Sequence, residues 1–573
     1  MRTAPANRRL SRSSLAGGTL CLLVACGGGG GSAPPVQPTP EPVNRATGRW
    51  LTGPGLPAYL NPDLVAPSTN GGGFLLRPKA EVSGLGALVL RSAEAWRGSA
   101  IGDHVWDVHA ELGVYHCLSG VGQEFVWHRL PEDPSAPVGA STRLQFGVVM
   151  PSPAVVERGG RRFLVAPGGA VAALENGFDV AWCRRWPGAD WAFGRGASAR
   201  WLSAQQVTPG TMQVAAIDAA TGQVAAAQVD WPEPASFAWA SESPDGVMVG
   251  NFVQLPLRVA LLEPSLAAQS AWRIQRTNGT FGLDYARPLG ASRMVGTVHI
   301  RPQLQGHEAA IVAFAGDGSV AWAHGFQVEV PIGDWRFYDV LPFGNGMARI
   351  VCRSSPPLTT DQVTVAIAVV RGDGTVAGAI AVARVLDLEL EPLQRGGYLA
   401  RCERGSLLLD DELRVLRSWA RADVREQGGF LWFTSLGERG VSAGDRFGRL
   451  DAQGDVDWAV RIGDIAVDTQ LAYIGQSDGS AVLAWSDTFG NFVTATVRTD
   501  GSSAATCVLA AATVEFDVLL GDNPTVVRDQ DVLLSPDVAM SATIGSPVAE
   551  VEVVKLPDAA PGPTGQVLPV CGN

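Results

Sequence analysis

A short pattern of residues recurs along this chain at intervals of 39 to 56 residues. Its clearest copy, residues 449–458, runs from an apolar strand end through a polar turn with glycine into a second strand that ends in tryptophan. Residues 174–182 and 314–322 repeat it closely. Looser copies end at Trp96, Val138, Ala226, Trp272, Gly378, Trp419 and Ala505. This period is too long for a leucine-rich or ankyrin repeat and matches a unit of four short strands.

The residues inside one unit agree with four strands. Residues 428–433 and 445–450 predict two neighbouring strands, and 451–454 predict the turn before a further strand at 456–460. Aspartate and glycine suit that turn because they tolerate positive φ and bond the local backbone. We expect the tryptophan to wedge between neighbouring units.

The predicted fold class is therefore an all-β β-propeller with a β-rich C-terminal extension. Ten candidate units are present, but four lack the terminal tryptophan, so we expect about eight four-stranded blades within a range of seven to ten. An array of β-sandwiches is the alternative.

Residues 216–224 resemble a PQQ-type propeller repeat, and residues 428–463 resemble related repeats of exported bacterial proteins. The resemblance extends over residues 70–505 and implies propeller architecture without implying a chemistry. The adjacent-cysteine pair of quinoprotein dehydrogenases is missing from the sequence. The resemblance therefore does not imply PQQ, and we expect no cofactor.

The N-terminus has the order of elements of an export signal. Arginines 2, 8, 9 and 12 precede an apolar stretch at 15–25 that is too short to span a bilayer. Ala25 followed by Cys26 resembles the lipobox of bacterial lipoproteins, which implies cleavage before Cys26 and lipidation of its thiol. Gly27, where aspartate would indicate inner-membrane retention, favours the outer membrane. An ordinary secretory signal is the alternative.

The sequence divides into four predicted parts. Residues 1–25 form the lipoprotein signal peptide, 26–48 a lipidated tether rich in glycine and proline, 49–505 the propeller, and 506–573 the C-terminal segment. Without the signal arginines, 40 Lys and Arg stand against 56 Asp and Glu, a formal charge of −16. Nucleic acid and anionic lipid are poor partners for such a surface. We expect an envelope protein or a glycan as partner.

Six cysteines follow the signal and Cys26, an even number that permits disulfides after export. We predict that Cys507 pairs with Cys571, which flank the C-terminal segment. Sequence proximity then suggests Cys117 with Cys183 and Cys352 with Cys402. Reduced buried thiols are the alternative.

No residue set predicts catalytic, cofactor-binding or metal-binding residues. Residues 475–479 match the Gly-x-Ser-x-Gly pattern of hydrolases, but every histidine lies at or before His324, so we interpret them as a hairpin turn. His104 and His109, and the aspartates of residues 451–457, are interpreted as surface positions rather than as metal ligands. Two function classes remain open: a binding or scaffolding propeller, and a glycan-active enzyme with a channel site.

Overall fold

The computed structural model describes the greater part of the chain between residues 48 and 568. The described residues are 48–50, 62–67, 74–78, 87–91, 95–100, 105–111, 113–121, 124–131, 136, 140–145, 153–166, 168–175, 179–194, 199–232, 238–243, 246–251, 257–276, 285–289, 293–301, 306–329, 335–344, 346–355, 363–436, 443–463, 465, 471–476, 478–487, 492–529, 532–558 and 564–568. The predicted signal peptide, Cys26 and Cys571 lie outside them.

All the regular secondary structure in these residues is β-strand. The strands form ten antiparallel blades, which we number in chain order. Blade 1 contains β2 (Pro62–Pro67), β3 (Phe74–Pro78), β4 (Ala87–Arg91) and β5 (Ala95–Ala100). Blade 2 contains β6 (Val105–Glu111), β7 (Val114–Val121), β8 (Glu124–Pro131) and β9 (Ala140–Gln145). Blade 3 contains β10 (Ala154–Arg158), β11 (Arg161–Ala166), β12 (Ala170–Leu174) and β13 (Val180–Arg185). Blades 4 to 6 contain β14 (Ala192–Gly194), β15 (Arg200–Thr208), β16 (Thr211–Asp218) and β17 (Val224–Asp230); β18 (Ala238–Ser243), β19 (Gly246–Asn251), β20 (Leu257–Leu262) and β21 (Ala268–Arg276); β22 (Tyr285–Pro288), β23 (Met294–Arg301), β24 (Gly306–Phe314) and β25 (Val320–Val328).

Blades 7 to 9 contain β26 (Trp335–Phe343), β27 (Met347–Ser355), β28 (Thr364–Val370) and β29 (Val376–Ala383); β30 (Glu389–Pro392), β31 (Tyr398–Cys402), β32 (Gly405–Leu409) and β33 (Val415–Ala420); β34 (Ala422–Gln427), β35 (Phe430–Leu436), β36 (Ala443–Leu450) and β37 (Val456–Ile462). Blade 10 combines β38 (Ala472–Gly475), β39 (Ala481–Ser486) and β40 (Phe492–Val497) with the N-terminal strand β1 (Gly48–Trp50). The N-terminus thus supplies the fourth strand of the last blade.

The propeller prediction is confirmed, and the blade count lies at the upper end of the expected range. Each of the ten blades contains strands of one candidate unit, although Val138 lies outside the described residues and the unit ending at Ala505 is completed by β1. The unit ending at Ala226 lacks the terminal tryptophan and still forms a complete four-stranded sheet.

The hydrophobic core is divided among the blades rather than gathered at one centre. Each buried cluster combines side chains from two neighbouring blades, such as Leu202 of blade 4 with Val247 of blade 5. Another cluster joins Ile367 of blade 7 to Leu407 of blade 8. Burial of apolar area between sheets therefore holds each blade to the next.

The tryptophans at the ends of units wedge between blades, as the sequence predicts. The indole N–H groups of Trp272, Trp322, Trp419 and Trp458 each donate to a carbonyl in a turn of the following blade, at 3.0 Å. Gly454 in such a turn has φ of +82°, and an added Cβ would press on the ring of Trp419. Glycine is needed there for both reasons.

The C-terminal residues 509–568 form a segment that we name the belt. Its strands are β41 (Leu509–Ala511), β42 (Val526–Asp529), β43 (Val532–Asp537), β44 (Met540–Thr543), β45 (Ala549–Glu550), β46 (Glu552–Asp558) and β47 (Thr564–Leu568). They pair antiparallel with the fourth strands of blades 9, 6, 5, 4, 3, 2 and 1, in that order. The belt therefore passes the blades in reverse order and adds a fifth strand to seven of them.

Sheet twist explains how one segment can follow this path. Each strand turns by roughly 20–25° relative to its neighbour, so the fourth strand of a blade lies far from parallel to the first. If the first strand follows the propeller axis, the fourth follows the rim. A fifth strand along the rim can then reach the next blade after a short link.

The last belt strand closes the ring. β47 pairs with β5 of blade 1 through Gly565 and Trp96, and with β1 of blade 10 through Val567 and Trp50. Blades 1 and 10 are thereby joined into one nine-stranded sheet. The sequence analysis treated residues 506–573 as a separate β-rich extension, whereas their strands belong to the blade sheets.

Both cysteine pairings suggested by sequence proximity are wrong. Cys117, Cys183, Cys352 and Cys402 are free thiols. Cys117 and Cys183 lie in different blades, and burial raises the pKa of Cys183 to about 12, which keeps this thiol protonated. Cys507 is disulfide-bonded. Its pairing with Cys571, which lies outside the described residues, stays a prediction.

Candidate binding site

The first strands of the blades form the inner ring of the propeller. Among the described strands, β2 contacts β6 and β38, β6 contacts β10, and β18 contacts β14 and β22. First strands of neighbouring blades therefore converge, and the fourth strands and the belt lie outside. Residues on the first strands are the ones that face or flank the central channel.

Charged side chains occupy alternate positions on several first strands. In β34, Ala422 and Val424 are buried, whereas Asp423 is partly buried and Arg425 is exposed. In β30, Leu390 is buried between Glu389 and Glu391. Because strand side chains alternate between two faces, each of these strands presents an apolar face and a charged face.

These charges form a series over blades 6 to 9, which we name the inner charge ring. Its members are Arg287, Asp339, Arg349, Glu389, Glu391, Arg401, Asp423 and Arg425. It contains four arginines and four carboxylates, so its formal charge is zero. Blades 7, 8 and 9 each contribute charges of both signs.

Ion pairs between blades bind the ring together. Arg287 of blade 6 lies 3.1 Å from a carboxylate oxygen of Asp339 in blade 7. Arg401 of blade 8 contacts Glu389 at 2.8 Å, Glu391 at 2.7 Å and Asp423 of blade 9 at 3.3 Å. Holding several charges in fixed positions gives the inner face a rigid polar surface.

Arg349 sits among the carboxylates of the ring and forms no ion pair with the residues that the structure describes. Burial lowers the pKa of its guanidinium, and the nearby charges of Asp387, Glu389 and Asp339 oppose that effect. Its Nε is buried and makes no hydrogen bond within the described part of the chain. This N–H group can donate a hydrogen bond to a ligand or to water.

Tyr473 of β38, in blade 10, lies beside the blade 9 end of the inner charge ring and interacts with Arg425 and Asp423. Burial raises the pKa of its phenol, and the charge of Arg425 works in the opposite direction. Its hydroxyl is buried without a hydrogen-bond partner among the described residues. For Arg425, burial lowers the pKa, but the charge of Asp423 and then that of Tyr473 raise it. The pKa of Arg425 therefore lies above its ordinary value. A donor or acceptor supplied by a bound molecule would satisfy the tyrosine.

The carboxylates of the ring share one arginine. Glu389, Glu391 and Asp423 all lie within ion-pair distance of Arg401. They therefore stand as hydrogen-bond acceptors in fixed positions. In hairpin turns away from the ring, hydrogen bonds from Ser319 to Asp317 and from Thr375 to Asp373 hold the pKa of each carboxyl group below its ordinary value.

The hydrolase-like pattern at 475–479 is a hairpin turn, as interpreted from the sequence. β38 and β39 pair on either side of it, and Ser480 donates to Asp478 from its amide at 2.8 Å and from its hydroxyl at 2.7 Å. A Cβ added to Gly475 would overlap the indole of Trp432. Gly475 therefore leaves room for a buried tryptophan.

The aspartates at 451–457 also have structural partners. Asp451 accepts hydrogen bonds from the amides of Gln453 and Asp455 at 2.9 Å, which closes the turn. Asp455 pairs with Arg417 and Asp457 with Arg449. Nowhere in the described ranges do three or more His, Cys, Asp or Glu side chains gather in a metal-binding group.

His104 lies outside the described residues, and His109 pairs across the strands with His116. Burial, followed by the charge of Arg129, lowers the pKa of His116 from 6.5 to about 4. Glu111, His109 and Arg162 also act on it. His116 therefore stays neutral in the folded protein over most of the physiological range.

This shift predicts a pH dependence of stability. As pH falls through 6.5 the unfolded chain takes up the proton first, so folded stability decreases until the folded pKa near 4 is reached. The loss should amount to at most about 3 kcal/mol. Urea unfolding at several pH values should show a shallower acid-side slope for His116→Gln than for the wild type. Equal slopes between these pH values would contradict the assignment.

A cavity of about 440 Å³ lies on the rim of blade 9, where the belt begins. Asp445, Arg461 and Cys507 are among its lining residues. Arg461 and Asp445 form an ion pair at 2.7 Å. The polar groups of this cavity thus neutralise each other, and we regard the inner charge ring as the stronger binding candidate.

No protein-family model matches this sequence, and no curated protein matches it. Among solved structures, BamB from Moraxella catarrhalis is 15% identical, covers 60% of this chain and 95% of its own, and gives a TM-score of 0.31. The Dos1 propeller is 10% identical, covers 79% of this chain and 95% of its own, and gives a TM-score of 0.33. The propeller assignment itself rests on the strand pairing of this chain.

No helix in the described part of the chain is long and apolar enough to cross a membrane. The inner charge ring is the feature that the sequence analysis missed. Its signal is the alternation of charged with apolar residues at the start of blades 8 and 9, in Glu389-Leu390-Glu391 and Asp423-Val424-Arg425. Aligning the units at their first strands would have exposed it.

Proposed function

We propose that this protein is a lipid-anchored envelope propeller that binds a partner, an envelope protein or a glycan, through its inner face. The inner charge ring is the observation that favours binding over catalysis. Its carboxylates are held by arginines, so it can donate and accept hydrogen bonds in fixed positions. Partly exposed charges such as Glu391 and Arg425 would contact the bound molecule.

The lipid anchor is supported by the N-terminal sequence. Cys26 follows a basic and apolar signal and precedes a tether rich in glycine and proline. β1 begins only at Gly48, so 21 residues separate it from Cys26. Two or more acyl chains would hold the mature protein stably at a membrane.

Replacing Cys26 with alanine should abolish lipidation. Metabolic labelling with a clickable fatty acid should mark the wild-type protein and leave Cys26→Ala unlabelled. Cys402→Ala, which removes another cysteine, is the matched control and should label like the wild type. Equal labelling of all three proteins would show that the anchor is elsewhere or that none exists.

The binding role is tested on the full-length protein with the Glu391→Gln variant. Crosslinking on intact cells should enrich one envelope protein or polymer with the wild type, and at least about fivefold less with Glu391→Gln. Glu412→Gln, which changes an exposed carboxylate outside the ring, should capture as the wild type does. If purified protein instead cleaves a polysaccharide and Glu391→Gln abolishes that activity, the glycan-enzyme alternative is correct.

A further inference from the structure

The belt is interrupted where it passes blades 7 and 8. Elsewhere in the described residues it forms ladders with the blades, whereas between Ala512 and Asp522 it contributes no strand. The amide of Ala420 donates to the carbonyl of Asp517 at 3.0 Å. No other hydrogen bond joins the main chain of 513–521 to the part of the chain that the structure describes. Polar main-chain groups are therefore left for another partner.

This interrupted stretch is nevertheless fixed to the propeller by its inward side chains. The ring of Phe516 meets that of Phe433 edge-on, with centroids 5.0 Å apart. Leu519 is buried in the cluster between blades 7 and 8. The carbonyl and amide of Asp522 both bond Ala381 of blade 7. The stretch thus presents its backbone in a fixed position at the rim.

Its outward side chains form an apolar pair with acidic flanks. Val518 and Leu520 are 71% and 78% exposed. Glu515, Asp517 and Asp522 are exposed around them. We name these five residues the rim strip. An exposed apolar pair beside unused main-chain groups has features of a strand-addition surface.

We propose that the rim strip binds an extended peptide segment of a partner protein, with apolar residues at alternate positions and basic residues between them. The apolar residues would cover Val518 and Leu520, the basic ones would face the three carboxylates, and main-chain hydrogen bonds would form along 513–520. A second copy of this chain is a poor occupant, because it would bring the same acidic residues against the strip. This surface is separate from the inner charge ring, so the proposal goes beyond the binding role argued above.

The test uses a fluorescently labelled peptide of about nine alternating arginines and valines, long enough to follow the strip at about 3.4 Å per residue. Fluorescence anisotropy with the full-length protein should show saturable binding that weakens as salt rises to about 0.5 M. The double variant Val518→Ser with Leu520→Ser should bind at least about tenfold more weakly. A peptide with glutamate in place of arginine should not bind, and one with a central proline should bind more weakly because it lacks an N–H.

Val538→Ser with Met540→Ser is the matched control. Val538 and Met540 are 65% and 67% exposed on the same belt, where it pairs with a blade. This variant should bind within about twofold of the wild type. Equal weakening of both variants, or no saturable binding of the arginine–valine peptide up to about 1 mM, would overturn the rim-strip proposal. Neither result depends on Cys26 or Glu391, so the proposed function would be judged separately.

Discussion

Replacing Asp537 with alanine should lower the free energy of unfolding by about 3–5 kcal/mol. Asp537 is a belt residue in β43, and its carboxylate accepts hydrogen bonds from Arg258 at 3.0 Å and from Arg273 at 3.1 Å. The Arg258 side chain is fully buried and Asp537 is 3% exposed. Without Asp537 the buried guanidinium of Arg258 would lose this charged partner, which costs far more than an exposed pair contributes. Urea unfolding followed by tryptophan fluorescence measures the loss.

The exposed pair of Arg417 and Asp455 is the matched control. Its nitrogen and oxygen are 3.1 Å apart, close to the 3.0 Å of the buried pair, but the two side chains are 48% and 62% exposed. Asp455→Ala should therefore lose less than about 1 kcal/mol. If Asp537→Ala does not fold, Asp537→Leu with Arg258→Met should recover folded protein, since it removes both buried charges. Equal losses from Asp537→Ala and Asp455→Ala would contradict the role of burial.

The blades could be predicted from the sequence because their signals are local. A turn such as residues 451–454, an alternating strand and a terminal tryptophan lie within one unit, and ten such units make the architecture clear. The blade count was harder because tryptophan is replaced in some units. Ala226 shows that a smaller side chain can occupy this position in a blade that still forms all of its ladders.

The belt and the inner charge ring depend on contacts that the sequence does not display. Ala549 pairs with Arg185, more than 360 positions earlier, and no local pattern marks such a partner. The belt strands are also short and half exposed, so their alternation is weak. Similarly, Arg401 and Asp423 become neighbours only when blades 8 and 9 pack together. The chemistry of the site is thus a product of blade order rather than of a motif.

Ending the chain after Ala505 should prevent the propeller from accumulating as a soluble monomer. The truncation would remove the fifth strand from seven blades and leave their fourth strands with unpaired edges, which promotes aggregation. It would also remove β47, which joins Trp96 of blade 1 to Trp50 of blade 10. Size-exclusion chromatography and limited proteolysis should detect aggregated, protease-sensitive protein.

Supplying the belt as a separate chain tests whether the strands themselves cause this effect. Residues 506–573, which include both Cys507 and Cys571, should restore soluble protein when co-expressed with the truncated chain, because the edge pairings do not require covalent continuity. A belt fragment carrying Asp537→Ala should restore less, since Arg258 would then lose its ion pair with the belt. A truncated chain that is monomeric and unfolds at the same urea concentration as the wild type would show that the ring of blades is closed without the belt.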